Sequence, residues 1–234
     1  MRRAINHLKR CDPVMAAIIA KIGPYKGYDL PADFESMARS IIFQQLAGAA
    51  ARTIFQRVQA ACEKAVHGED TPRSLYGGFK ITPEAILALS EEQMRACGLS
   101  RQKLSYLRDL ATRSQSGEID FTRLPQMSDE EVIEHLTRVK GIGVWSAQMF
   151  LIFALKRPDV MPTLDLGVNT AIQMAYRKRK LPKAKQILAL SEKWKPYRSF
   201  ACWYFWRYIE RMRAEATAAK KNGPKSKKAK GAKA

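Results

Sequence analysis

Leu136-Thr137-Arg138-Val139-Lys140-Gly141-Ile142-Gly143-Val144-Trp145-Ser146-Ala147 is the stretch on which the reading of this chain turns. A helix closes near Arg138, two glycines turn the backbone, and an apolar run from Val144 to Leu155 opens the next helix. Glycine adopts backbone angles closed to other residues, so Gly141 and Gly143 predict a tight turn with exposed N–H groups. The helix that follows adds its positive dipole end. Such a turn can hold a phosphate with main-chain groups alone. Glycines also make ordinary inter-helix turns, so the pattern takes its meaning from its surroundings.

Those surroundings read as helix almost throughout. Asp12 to Ile22 has an N-cap residue at its start and Gly23 as its stop. Asp33 to Gln44 carries Phe34, Met37, Ile41 and Ile42 at helical spacing, and Ala47 to Ala61 carries Ile54 and Val58. Arg101 to Ser114 repeats the pattern with Leu104, Leu107 and Leu110. Thr82-Pro83-Glu84, Ser90-Glu91-Glu92 and Ser128-Asp129-Glu130-Glu131 are capped helix starts. No stretch alternates with period two and no Asn-Gly hairpin separates apolar runs. The expectation is an all-α domain over residues 1–213, of roughly ten short helices.

Composition narrows the class. The 234 residues include 41 Lys and Arg against 22 Asp and Glu, a formal charge of +19, and 46% are apolar, enough for a core. No apolar run is long enough to cross a membrane, and the basic N-terminus lacks the apolar stretch and cleavage site of a secretory signal. Cys11, Cys62, Cys97 and Cys202 stand far apart, which excludes the usual cysteine-ligated zinc or iron–sulfur spacing and argues against a disulfide scaffold. A reduced, intracellular, soluble protein with a polyanionic partner follows, and nucleic acid is the commonest polyanion. Residues 214–234 hold seven lysines and one acid, with no aromatic or large aliphatic side chain. They read as a disordered Lys-rich tail, able to act as a solubilising segment or a phosphate-binding arm. They carry six of the nineteen net charges and leave thirteen on residues 1–213.

One helix beyond the glycines comes Met161-Pro162-Thr163-Leu164-Asp165-Leu166-Gly167-Val168. Asp165 precedes the helical run Leu166 to Tyr176, so the pattern makes it an N-cap, worth about 1 kcal/mol.

Residues 141–147 followed by 162–166 resemble the helix-hairpin-helix superfamily of DNA glycosylases, with the hairpin at 136–147 and Asp165 at the distance of the family's essential Asp. Phe43-Gln44-Gln45-Leu46 with Ala49-Ala50-Ala51 resembles the Gln-Gln loop of the DNA-3-methyladenine glycosylase II family. Cys97-Gly98-Leu99-Ser100-Arg101-Gln102-Lys103 with Tyr106-Leu107 resembles its Gly-Leu-Ser-x-x-Lys segment. Trp194-Lys195-Pro196-Tyr197-Arg198-Ser199-Phe200-Ala201, with Trp206 beyond, resembles its C-terminal signature. The matches run in order from about residue 34 to 208 and fit the compact members that lack an extra N-terminal domain. Three positions depart from the family pattern: Leu164 where an Asp often precedes the essential one, Val144 where a basic residue often follows the second glycine, and Met149 where a Tyr often stands one turn after the hairpin Trp.

The resemblance implies two helical lobes with the active-site cleft between them, and a monofunctional glycosylase of base-excision repair. It flips an alkylated base of the 3-methyladenine type out of double-stranded DNA and leaves an abasic site. Asp165 takes the catalytic role. Trp145, Trp206 and Met149 form the base pocket, since an electron-rich ring attracts a cationic purine; for Trp206, core packing beside Trp203, Tyr204, Phe205 and Tyr208 is the even alternative. Lys140, Gly141, Ile142 and Gly143 bind the DNA backbone. Gln44-Gln45-Leu46 supplies the wedge that fills the vacated stack, with Gln45 or Leu46 as its tip. No cofactor is required, although the carbonyls of Thr137, Val139 and Ile142 map onto a structural Na⁺ or K⁺ site. His7, His67 and His135 stand outside the matched segments, and His135 reads as a helix-surface residue. A cytoplasmic, nucleoid-associated monomer is expected, nuclear in a eukaryote. The alternatives are a helix-hairpin-helix glycosylase of other base specificity, or a non-catalytic DNA-binding module. Oxidised-base enzymes usually carry Lys at the place of Trp145, and adenine-mismatch enzymes an iron–sulfur cysteine cluster that this chain lacks.

Overall fold

Helix starts in this chain are set by short polar side chains. Asp12, Asp33, Thr82, Ser90, Ser100, Ser128 and Asp165 each accept a hydrogen bond from an amide of the helical turn that follows. Ser90 and Ser128 complete reciprocal capping boxes with Gln93 and Glu131. The computed structural model describes residues 1–28, 30–66 and 74–222, with side chains as far as residue 219. Among these, regular structure consists of twelve α-helices and two single 3₁₀ turns, at Leu124–Gln126 and Glu192–Trp194. The helices are α1 (Arg2–Cys11), α2 (Pro13–Ile22), α3 (Phe34–Phe43), α4 (Gly48–Ala65), α5 (Pro83–Ala88) and α6 (Glu91–Ala96), followed by α7 (Arg101–Gln115), α8 (Asp129–Thr137), α9 (Val144–Phe153), α10 (Leu166–Ala175), α11 (Ala184–Ser191) and α12 (Arg198–Asn222). The all-α expectation holds, and none of the described helices is long and apolar enough to cross a membrane.

The chain divides into two units. One joins Met1–Tyr25 to Thr163–Ala234; the other is Lys26–Pro162. The first packs α2, α10 and α12 about Leu8, Met15, Val168, Ile172, Trp194, Tyr204 and Phe205, all buried. The second packs α3, α4, α5 and α7 about Met37, Ile41, Val58, Ile86 and Leu107. A buried carboxylate organises the connection before α5. Glu35 accepts from the amide of Ile81 at 2.9 Å, from Ser74 Oγ at 2.6 Å and from Gln59 Nε2 at 3.4 Å. It thereby ties α3 and α4 to residues 74–81.

Two boundaries correct the sequence reading. The N-terminal residues form α1, whose basic surface hides a short inward stripe of Ala4 and Leu8. Helix α12 runs to Asn222, nine residues into the segment read as a disordered tail. Ala214, Ala216, Ala218 and Ala219 have high helix propensity, and Arg211 pairs with Glu215 at i,i+4 and 3.0 Å. Glu215 also reaches Lys21 at 3.0 Å, which docks this part of α12 on α2. Residues 223–234 and His67 lie outside the described residues.

Candidate functional site

The hairpin belongs to the second unit. After α8 the chain makes two tight turns: Val139 N donates to Leu136 O at 3.2 Å, and Ile142 N to Val139 O at 3.1 Å. Ile142 and Val139 are buried beneath the turn, while Lys140, Gly141 and Gly143 are exposed. Asp109 of α7 holds it from the side, accepting from the amide of Lys140 at 2.9 Å with the Lys140 ammonium at 3.9 Å.

The two glycines are not equivalent. Gly141 has φ +79°, and a Cβ there would fall 2.1 Å from the ring of Tyr106, so both conformation and space demand glycine. Gly143 has φ −95° and ψ 175°, open to any residue, and nothing lies within 4 Å of where its Cβ would be. The turn therefore does not require Gly143, contrary to the expectation from sequence. What its missing side chain leaves is clear space before α9, whose first turn no side chain caps.

The Gln-Gln loop reaches this hairpin directly. Gln44 Nε2 donates to Gly141 O at 3.0 Å. Lys103 Nζ donates to Ile42 O at 2.6 Å and Gln44 O at 2.7 Å, closing the end of α3. Burial pushes the Lys103 ammonium down from its ordinary value. With Gln44 committed to the hairpin, Gln45 (φ +56°) and Leu46 (39% exposed) are the residues that project from the loop. Trp145 stands on the first turn of α9, 42% exposed, and Met149, one turn on, is half-buried on the same side of the helix.

Asp165 lies in the first unit, as the N-cap of α10, with its side chain buried. Its Oδ1 accepts from the amide of Val168 at 2.7 Å and from the indole N–H of Trp206 at 2.9 Å. This bond sets Trp206 apart from its aromatic neighbours. Trp203, Tyr204 and Phe205 are buried in the core, whereas Trp206 is half-buried and turned to the carboxylate. Gly167 makes that contact fit, since a Cβ there would sit 3.1 Å from Asp165 Oδ1 and 3.2 Å from Trp206 Cδ1. On either side of Asp165 in the chain, Leu164 and Leu166 are 68% and 64% exposed.

Lys103, Tyr106 and Gly167 stand in segments quoted from the sequence without a role, and Asp109 is not named there; the structure makes all four positioning residues. Lys103, Tyr106 and Asp109 share the α7 spacing i, i+3, i+6, which puts them along one side of that helix. His135 corrects the surface reading: it is half-buried, its Nε2 is enclosed without a partner, and it lines a hollow of about 650 Å³ with Arg123, Gln126 and Arg138. The cysteines are free, and burial pushes the Cys62 thiol up to about 12. Among the described residues, no cluster of His, Cys, Asp or Glu could hold a metal ion.

Residues 38–196 match the model of the HhH-GPD superfamily of base excision DNA repair proteins. The chain belongs to that superfamily. Its match to the DNA-3-methyladenine glycosylase 1 of Schizosaccharomyces pombe is 34% identical over 88% of this chain and 87% of that protein. A solved structure of the S. pombe enzyme in complex with abasic DNA superposes with a TM-score of 0.72, covering 88% of this chain and 95% of that one. The DNA-3-methyladenine glycosidase of Bacillus halodurans superposes at 0.75 with 29% identity, covering 91% of each chain. The DNA-3-methyladenine glycosylase of Saccharomyces cerevisiae is 33% identical over 82% of this chain and 72% of that protein.

Proposed function

We propose that this HhH-GPD protein is a monofunctional DNA-3-methyladenine glycosylase of the second type, acting on alkylated bases in double-stranded DNA. The observation that carries the reading is Asp165: a buried carboxylate that caps α10, accepting the amide of Val168 and the indole N–H of Trp206. Base loss builds oxocarbenium-like charge on the sugar, and a fixed carboxylate beside C1′ stabilises that charge as it develops. The N-glycosidic bond breaks with its electron pair going to the base. Alkylation has already made that base cationic, so it departs neutral and needs no strong acid. Water then forms the new bond at C1′, with Asp165 orienting it and receiving its proton.

Trp145 and Trp206 supply aromatic faces for the cationic base, with Met149 beside Trp145. The hairpin amides around Gly141 to Gly143, with Lys140, hold the strand by its phosphates. Gln45 or Leu46 fills the stack left by the flipped base. The resemblance assigns the carbonyls of Thr137, Val139 and Ile142 to a monovalent cation that would stiffen the turn; Val139 O also accepts the amide of Ile142. In that case, exchanging K⁺ and Na⁺ for tetramethylammonium at fixed ionic strength weakens DNA binding; equal binding removes the cation.

Release of free base from methylated DNA, against an undamaged control, tests the function. Release of 3-methyladenine with an intact strand is expected. Binding without release would leave a DNA-binding module, and release of oxidised bases alone would move the chain to another specificity.

A further inference from the structure

Residues 177–185 read Arg-Lys-Arg-Lys-Leu-Pro-Lys-Ala-Lys, six cations in nine positions. From Leu166 to Ser191 the chain has no Asp or Glu at all. Arg177, Arg179, Lys180, Lys183 and Lys185 are exposed, Lys178 is half-buried, and among the described residues none of the six side chains pairs with an acid.

The segment is built rather than loose. Arg177 has φ +50°, a left-handed turn that costs a non-glycine residue about 1 kcal/mol or more. The amides of Arg177 and Lys178 close the end of α10 on Met174 O at 3.2 Å and Gln173 O at 2.9 Å. Pro182 is buried, and the amide of Lys183 donates to Gln186 Oε1 at 2.9 Å to open α11. A helix C-terminus favours one or two cations over its last turn. It does not account for six, whose mutual repulsion a polyanion would relieve.

Position puts the run within reach of the DNA that the proposed function places at Asp165. The run starts where α10 ends, and α10 starts at Asp165. Ten residues at 1.5 Å each set the two about 15 Å apart. At 3.4 Å per base pair this is the reach of phosphates roughly four to five pairs from the nucleotide at Asp165.

We propose that residues 177–185 form a second phosphate-binding surface, separate from the hairpin, that holds the DNA backbone on one flank of the lesion. The proposal rests on the function proposed above. The experiment measures binding of the full chain to undamaged duplex across a salt series, for wild type and for the variant Lys178→Gln, Arg179→Gln, Lys180→Gln, Lys183→Gln and Lys185→Gln. Each phosphate contact contributes about 0.9 to the slope of log affinity on log salt, so the slope should flatten by about 2–4. A control variant neutralises Arg2, Arg3, Lys9 and Arg10 on α1. Trimming the duplex on one side of an abasic-site analogue should weaken wild-type binding and leave the neutralised variant unaffected. An unchanged slope, or an equal change in the α1 control, overturns the proposal; so does indifference of the wild type to trimming on both flanks. An unchanged melting midpoint shows that the variant is folded, and a variant that fails to fold is replaced by Lys180→Gln with Lys185→Gln, read for a slope change of about 1–2. Because undamaged DNA is the probe, loss of base release in the parent chain would defeat the proposed function and leave this measurement standing.

Discussion

Asp12 and Asp165 invite comparison because both are buried aspartates that cap a helix in the same unit, and each accepts an indole N–H. Asp12 Oδ1 takes the amides of Val14 and Met15 at 2.9 and 3.3 Å. Its Oδ2 takes Trp194 Nε1 at 2.8 Å, the Tyr176 hydroxyl, and the Lys193 ammonium at 3.0 Å. That carboxylate is a knot joining α2, the end of α10 and the turn before α12, and its charge is answered from within the protein. Asp165 meets Val168 and Trp206 through Oδ1, beside a glycine and between two exposed leucines. The same residue type and the same cap serve architecture at Asp12 and, in the proposed function, chemistry at Asp165. What differs is whether the surroundings are core or rim.

The sharpest test exchanges the two charges for neutral groups. Asp165→Asn keeps a capping side chain and removes the charge only needed as charge develops at the sugar. Base excision should fall by about 10³-fold, in the range of losing one preorganised electrostatic contact. Binding to an abasic-site analogue and the unfolding midpoint should stay close to wild type. Excision retained within about tenfold would remove the assignment.

Asp12→Ala should show the mirror image. Losing it strands the amides of Val14 and Met15, the Trp194 indole and the Tyr176 hydroxyl, at a cost of about 3–5 kcal/mol in denaturant unfolding. Excision per folded molecule should not change. Burial pushes the Asp12 carboxyl up, but hydrogen bonds from Tyr176, Trp194 and Lys193 outweigh it and hold the group below its ordinary value. The sign follows from that direction. Asp12 stabilises the fold fully above the unfolded value of about 3.9, and the contribution fades as pH falls through the lower folded value. The wild type should therefore lose stability in that acid range more steeply than Asp12→Ala. Equal acid limbs would show that Asp12 is not the knot.

A finer cut uses Gly167. Alanine at a helix start should raise helix propensity, by up to about 1 kcal/mol. Its Cβ would press Asp165 Oδ1 and Trp206 Cδ1 apart by a few tenths of an ångström. Excision should drop by about tenfold, since small misplacements at a reacting centre are costly. Unchanged excision would mean that the Asp165–Trp206 contact is slack.

How much of this was written in the sequence differs between the two aspartates. The local pattern made Asp165 legible as an N-cap, which the structure bears out, while its proposed role came from the family resemblance of the segments around it. Asp12 was legible only as a cap. Its partners Tyr176, Lys193 and Trp194 lie more than 160 positions away, and no local periodicity reports such pairings. Gly141 was read correctly as a forced turn, but Gly143 was given the same role when its backbone is ordinary. The difference lies in Tyr106, which the fold brings under one glycine and not the other. Helix α12 was cut short because lysines near the C-terminus suggested a tail, while the alanines that carry the helix through to Asn222 were not weighed.

The smallest expected effect is none at all, and it tests whether Asp165 works without a covalent helper. An enzyme that also nicks the strand needs an amine to attack the sugar carbon and form a Schiff base. Trp145 occupies the first turn after the hairpin, and its indole nitrogen is not nucleophilic. The Lys140 ammonium precedes the glycines, exposed and turned to Asp109 at 3.9 Å. Lys156 lies beyond the far end of α9, whose last residue, Phe153, is about 12 Å from Trp145 at 1.5 Å per residue. Borohydride added during turnover should therefore trap no protein–DNA adduct, and the product should be an uncut strand that breaks only after alkali. An adduct that forms with the wild type and vanishes on replacing one lysine would make that lysine the nucleophile. Asp165 would then orient an amine rather than water, and its contrast with Asp12 would no longer be one of a carboxylate acting alone.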